Sequence, residues 1–259
     1  MKLPFQRASE AAVATAPVCT EFPAIDGAEI SAMVHGVRVG GDFYHFFRAN
    51  PRRVVFGLLD VAGQRSENKS IIAATREVFQ RRGCERFADE DVNEADAMME
   101  FSMDLNAAIR KSASAICVCA AFVGCYNEDL GTVCYVNAGH TPGLLRHGEE
   151  VSELRATGLP LGLFAASTYE APIVAVAPGS SLLLVSRGVV EAHRKKEEFG
   201  LHRVRSHFAT LPLENANVVA ASMLDAVRQY LGAAPAINDL TTLALVRPAK
   251  TRMPAVFST

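Results

Sequence analysis

The chain has little net charge. Its 26 Lys and Arg against 28 Asp and Glu leave −2 over 259 residues. General nucleic-acid binding is therefore excluded, because phosphate backbones are recognised through a basic field. Six cysteines are present (Cys19, Cys84, Cys117, Cys119, Cys125 and Cys134), yet none forms a C-x-x-C pair. Cys117 and Cys119 are two apart and share a face if the segment is a strand. They can be read as thiolate ligands or as small buried hydrophobes, and the second reading suits the habit of free cysteine better. No apolar run approaches the ~18 residues that span a bilayer, so a membrane is not an expected partner. No apolar segment follows the basic start Met1-Lys2-Leu3-Pro4. The expectation is therefore a chain without a secretory signal, cytoplasmic, with its thiols reduced.

What is present is ample material for a core. Hydrophobic residues make up 49% and charged residues 21%, a balance that argues against disorder. Residues 1–24 read as an Ala-rich arm, 25–249 as one folded domain and 250–259 as a tail. Strand-like runs fall at roughly 28–36, 41–48 and 53–60, the last carrying Val54, Val55, Phe56, Leu58 and Leu59. A helix follows from about 66 to 82, with Ser66 as N-cap and Gly83 as its stop. A second covers about 92–111, with Met98, Phe101, Leu105 and Ile109 on one face. From 113 to 186 the pattern turns to short strands and tight turns, which makes neighbouring strands antiparallel. A late helix at about 214–231 and a strand at 240–246 close the order. Strands, two helices, more strands, a helix and a final strand give an α+β class, with the two middle helices on one sheet and the late helix on the other.

Two aspartates stand out for chemistry. Asp42 in Gly40-Gly41-Asp42-Phe43 and Asp60 in Leu59-Asp60-Val61-Ala62-Gly63 each sit at the edge of an apolar run. Carboxylate oxygens suit Mg²⁺ or Mn²⁺, and a pair of such ions can activate water against a phosphoryl group. The same residues can equally be strand-end aspartates that cap turns. A nucleotide cyclase, suggested by the letters Gly40-Gly41-Asp42, is ruled out because Phe43-Tyr44 follows in place of a second acid.

Six segments in order carry a resemblance: G-G-D-F-Y (40–44), L-D-V-A-G (59–63), N-A-G-H-T-P (137–142), G-L-P-L-G-L (158–163), S-R-G-V-V-E-A (186–192) and N-D-L-T-T-L (238–243). Together they resemble the metal-dependent type 2C protein phosphatases, in the bacterial branch named for sporulation stage II protein E (SpoIIE). The resemblance spans about residues 28–247. It implies an α-β-β-α sandwich of two antiparallel sheets flanked by helices, and hydrolysis of a phosphoserine or phosphothreonine by water held between two Mg²⁺ or Mn²⁺ ions. It further implies a phosphorylated regulatory protein of anti-anti-sigma type, a sigma-factor regulator, as partner. Carried over, Asp60 would bridge both ions, the Val61 carbonyl would hold one, and Asp42 would act nearby through bound water. A homodimer is among the oligomeric states the sequence leaves open.

Four departures bear on that expectation. Arg187 and Asn238 stand at the positions of the third and fourth carboxylates, with Asp239 one residue along and so directed to the opposite face unless the backbone turns there. Arg65 replaces the second glycine of the first helix's entry, and His45 stands where an aspartate is usual. Arg187 is the largest change, because a guanidinium stays charged. Two unit charges 4 Å apart repel by about 4 kcal/mol at an effective dielectric near 20, and a divalent ion doubles that. Arg187 is expected either to fold over Asp60 or Asp42 as an ion pair, or with Arg65 to bind a phosphate directly. At most one ion, weakly held by Asp42, Asp60, Val61 and Asp239, is expected. Two functions follow: a phosphatase whose activity is weak or lost, or a pseudophosphatase that binds a phosphoprotein without turnover. His140 invites a general acid–base role, although Asn137-Ala138-Gly139 before it reads more simply as turn chemistry.

Overall fold

A computed structural model describes residues 18–20, 24–36, 41–62, 65–113 and 117–249, without the side chains of 18–20 and 65–67. The strands are β1 (Val18–Thr20), β2 (Glu29–His35), β3 (Asp42–Asn50), β4 (Arg53–Val61), β5 (Cys119–Asn127), β6 (Thr132–Ala138), β7 (Gly143–His147), β8 (Glu150–Leu154), β9 (Ile173–Ala175), β10 (Ser180–Val185), β11 (His193–Arg194), β12 (Glu197–Glu198) and β13 (Leu240–Arg247). The helices are α1 (Arg65–Arg86), α2 (Glu94–Ser112), α3 (Arg187–Val190), α4 (Gly200–Thr210) and α5 (Ala216–Leu231).

Eleven of these strands form two sheets, ordered β1-β2-β13-β10-β7-β8 and β3-β4-β5-β6-β9, and β11 and β12 pair apart from them, with antiparallel pairing throughout. Alternation along β4 shows how the layers are built. Val54, Phe56 and Leu58 join Phe122, Leu182, Leu184, Leu243 and Leu245 in the core between the sheets. Val55 and Leu59 face the other way, into a second core with Phe79, Met98, Phe101 and Leu105 of α1 and α2. Every β4 residue is buried, because a strand covered on both faces has no polar side to show. On the outer face of the other sheet, Leu183, Val185, Ala244 and Val246 pack against Val219, Met223 and Val227 of α5 and Val204 and Phe208 of α4. The result is the expected α-β-β-α sandwich.

Several boundaries differ from the sequence expectation. α1 does not stop at Gly83 but continues to Arg86. Gly83 is there for close approach: a Cβ on it would lie 2.4 Å from the Phe47 ring of β3. Helix α2 starts where Asn93 caps it, its side chain accepting from the Ala95 and Asp96 amides. Val18–Thr20, read as part of a loose arm, is an edge strand paired with Ala32–Val34. The stretch Arg194–Glu198 lies in an exposed two-stranded ribbon and α4 follows it. Cys119, Cys125 and Cys134 are buried in the core, and loss of hydration pushes their thiols up, Cys134 to about 12.

Candidate functional site

The alternation that builds the inter-sheet core also places the site. Asp60 keeps the parity of Val54, Phe56 and Leu58, so its side chain leaves β4 on the side of the other sheet. Asp42 on β3 is its direct cross-strand partner, and such neighbours have Cβ atoms about 5 Å apart. Ser186 follows β10 with the parity of Leu182 and Leu184, and Thr241 on β13 keeps that of Leu243 and Leu245. These four residues therefore converge at one end of the sandwich.

Their hydrogen bonds tie the sheets together. The Thr241 hydroxyl donates to Asp42 Oδ2 at 2.7 Å, while the Ser186 hydroxyl donates to the Asp239 carbonyl at 3.3 Å and lies near enough to Asp42 to favour its charged form. Ser186 Oγ also accepts from the Thr241 amide at 3.1 Å. Even so, the Asp42 carboxyl is pushed up to about 7, first by loss of hydration and next by the charge of Asp60, with a smaller contribution from Asp239; the two hydroxyls pull the other way.

Arg187 folds over Asp60. Its Nε donates to Asp60 Oδ2 at 3.1 Å, and Glu191 Oε1 stands 4.0 Å from the same nitrogen. Burial raises the Asp60 carboxyl, and Arg187 opposes that by charge and hydrogen bond. The pair is lopsided: the Asp60 side chain is 9% exposed and that of Arg187 52%. The two terminal nitrogens of Arg187 have no hydrogen-bond partner among the described residues. Gly188 fixes this arrangement, since a Cβ there would come within 2.0 Å of the Asp239 carbonyl. With glycine, the short helix α3 can lie against residues 238–239 and hold Arg187 over the end of β4.

The remaining expected residues fall as follows. Asp239 is buried and its charge acts on Asp42. The alternation argument had turned it to the opposite face; the chain bends at 237–238 and enters β13 only at Leu240, so that argument does not apply. Asn238 instead lies beside Gly188. Arg65 begins α1, and its side chain is outside the described residues, as are Gly40 and Gly63. His45 leaves β3 towards α1, where Nε2 meets Gln80 Oε1 at 2.8 Å and the ring packs edge-on against Phe79. His140 is buried away from solvent. The Asn137 side chain accepts from its amide at 2.8 Å, and its ring Nδ1 lies 3.0 Å from the Thr141 carbonyl, which requires the proton on Nδ1. Burial holds its pKa down at about 4, so it is a neutral turn-fixing group near pH 7.

Three residues of the site were not foreseen. Thr241 and Ser186 could have been found by extending the strand parity. Asn68 carried no such signal. It is 1% exposed on α1, and its Nδ2 donates to the Val61 carbonyl at 3.0 Å because the helix folds back across the end of β4.

The expected ions can now be tested against the donor set. The Asp60 carboxylate meets a guanidinium, the Val61 carbonyl an amide, and Asp42 the Thr241 hydroxyl. Among the described residues no group of three or more His, Cys, Asp or Glu could hold a metal ion. The residues present do not fit a two-ion centre.

Two packed antiparallel sheets with helices on both outer faces define a type 2C phosphatase fold. The SiaA-PP2C domain of Pseudomonas aeruginosa superposes with a TM-score of 0.70 at 20% identity, over 85% of each chain. Residues 50–248 match the model of the family Stage II sporulation protein E (SpoIIE), and the chain belongs to that family. Among curated proteins it is 24% identical over 154 residues to Phosphoserine phosphatase RsbP of Bacillus subtilis (strain 168), covering 59% of this chain and 37% of RsbP. It is 28% identical over 133 residues to Protein IcfG of Synechocystis sp. (strain ATCC 27184 / PCC 6803 / Kazusa), covering 49% of this chain and 20% of IcfG. The matches thus span well under half of either relative's length. Among the described residues no helix is long and apolar enough to cross a membrane.

Proposed function

We propose that this chain is a phosphatase-fold domain that engages a phosphorylated regulatory protein of the anti-anti-sigma type, with metal-dependent turnover weak or lost. One observation carries the reading: Arg187 is anchored through Nε by Asp60 while its two terminal nitrogens have no hydrogen-bond partner among the described residues. A planar guanidinium offering that edge is suited to bidentate recognition of a phosphoryl group. Asp60, the residue that would bridge two ions in an active relative, here acts as a positioning residue for a cation of the chain itself. The name of RsbP supports phosphoserine as the phosphorylated side chain. Hydrolysis would need a water made nucleophilic, and neither aspartate is free to hold an ion for that purpose.

The test couples two assays on the whole chain. With Mn²⁺ and p-nitrophenyl phosphate, turnover near the blank rate is expected. A phosphoserine peptide should bind, and Arg187→Ala should weaken it by about tenfold, the effect of losing one charge-assisted pair. Robust Mn²⁺-dependent turnover that disappears in Asp60→Ala would overturn the reading and restore an ordinary phosphatase.

A further inference from the structure

The geometry points to a site that binds its phosphoryl ligand without a divalent ion, because the chain's own donors already hold the Val61 carbonyl and one oxygen each of Asp60 and Asp42. The inference rests on the recognition reading above and adds a statement about cations that can fail separately. Three oxygen positions matter. Asp60 Oδ2 accepts from Arg187 Nε at 3.1 Å. The Val61 carbonyl accepts from Asn68 Nδ2 at 3.0 Å. Asp42 Oδ2 accepts from the Thr241 hydroxyl at 2.7 Å. The donors come from three separated elements, α3, α1 and β13, so their convergence does not follow from one local motif.

Two of the donors are locked in place. Asn68 is 1% and Thr241 0% exposed. An ion entering at Val61 or Asp42 would displace a buried amide or hydroxyl that has no water to turn to, which is the expensive way to break a hydrogen bond. At Asp60 an ion would also face a guanidinium that cannot lose its proton. Admitting a cation therefore requires several unfavourable changes at once. Excluding it leaves Arg187 as the positive group at the site, held by Asp60 and turned outward.

The experiment uses the full chain, a phosphoserine peptide followed by fluorescence anisotropy, and thermal melting. Melting should be unmoved by about 1 mM Mn²⁺ or Mg²⁺, since a ligand that does not bind the folded state cannot stabilise it. Peptide affinity should agree within about twofold between EDTA and Mn²⁺ buffers, with Arg187→Ala weakening both about tenfold. A triple variant, Asn68→Ala, Arg187→Asp and Asn238→Asp, removes two donors and restores two carboxylates, and should acquire an Mn²⁺-dependent rise in melting temperature. A rise in the parent chain, or peptide binding that EDTA abolishes, overturns the inference and leaves recognition standing. Absence of a rise in the triple variant, provided it melts cooperatively, overturns the role given to the donors. No peptide binding in either buffer overturns the recognition reading itself, while the melting arm still decides whether cations are kept out.

Discussion

Strand β4 ends in an arginine–carboxylate pair on both sides, and the two pairs are built to different standards. At its start, Arg53 donates through Nε to Glu94 at 2.7 Å, both side chains being 7% exposed. Further bonds back this pair: Arg53 Nη1 also donates to the Glu90 and Asp89 carbonyls, and Glu94 Oε1 also accepts from Asn127 at 2.6 Å. At the far end, Arg187 reaches Asp60 through one nitrogen, its side chain is 52% exposed, and the rest of its fork has no hydrogen-bond partner among the described residues. Burial and these added bonds mark the first pair as a clamp that pins the loop before α2 to the sheet. Half-exposure and a single bond mark the second as the looser pair.

The contrast breaks or holds on stability measurements. Arg53→Met strands a buried carboxylate and should cost about 3–5 kcal/mol in urea unfolding. An effect within ~1 kcal/mol would show that the two pairs are alike after all.

Acid probes the far end from another direction, since neither arginine titrates. His140, held at about 4 against an ordinary 6.5, is neutral in the fold. The unfolded chain takes up its proton first, so its contribution is present above about pH 6.5 and is lost as pH falls towards 4. Asp42, held at about 7 against 3.8, has the opposite sign: its carboxyl keeps its proton in the fold, and stability is lost as pH rises from 4 towards 7. By linkage His140 is worth up to about 3 kcal/mol and Asp42 up to about 4, and their opposite slopes largely cancel in the parent between pH 4.5 and 6.5. His140→Gln should become more stable on acidification across that window, and Asp42→Asn less stable. Denaturation curves at the two ends of the window that moved in the same direction for both variants would refute the assignment.

The smallest effect belongs to Arg187. Half-exposed and bonded through one nitrogen, it should lose no more than ~1 kcal/mol on substitution by methionine, even as phosphoserine affinity falls. Equal losses of stability and binding would make it a structural residue like Arg53.

Much of this arrangement was legible in the chain. The α+β class with helices on each sheet followed from the order of runs and turns, the face-to-face packing of the sheets and the place of Arg187 from the family resemblance, and the approach of Arg187 to an aspartate from a charge that needs a partner near a buried face. Strand parity would also have placed Thr241 and Ser186, had it been carried through from Leu243 and Leu184. Two features were not readable. Gly83 looks like a helix stop, because sequence cannot show that Phe47 presses on it. Asn68 is an ordinary polar residue in a helical run, and its bond to Val61 depends on the angle at which α1 recrosses β4. At Asp239 the exception allowed for in the sequence applies: the chain bends at 237–238 and the strand begins only at Leu240, so alternation does not reach it.

The Thr241–Asp42 bond has a consequence in the order of synthesis. Strand β13 sits inside its sheet, between β2 and β10, and it brings the hydroxyl that reaches across to β3. Neither the sheet nor the site can close until residues 240–247 have left the ribosome. The aspartates of β3 and β4, some two hundred residues earlier, must wait for them, as non-local pairings are the last a chain can make. A nascent chain stalled before Leu240 would hold both acids, Asn68 and Arg187, but not the Thr241 hydroxyl that ties Asp42 to the other sheet.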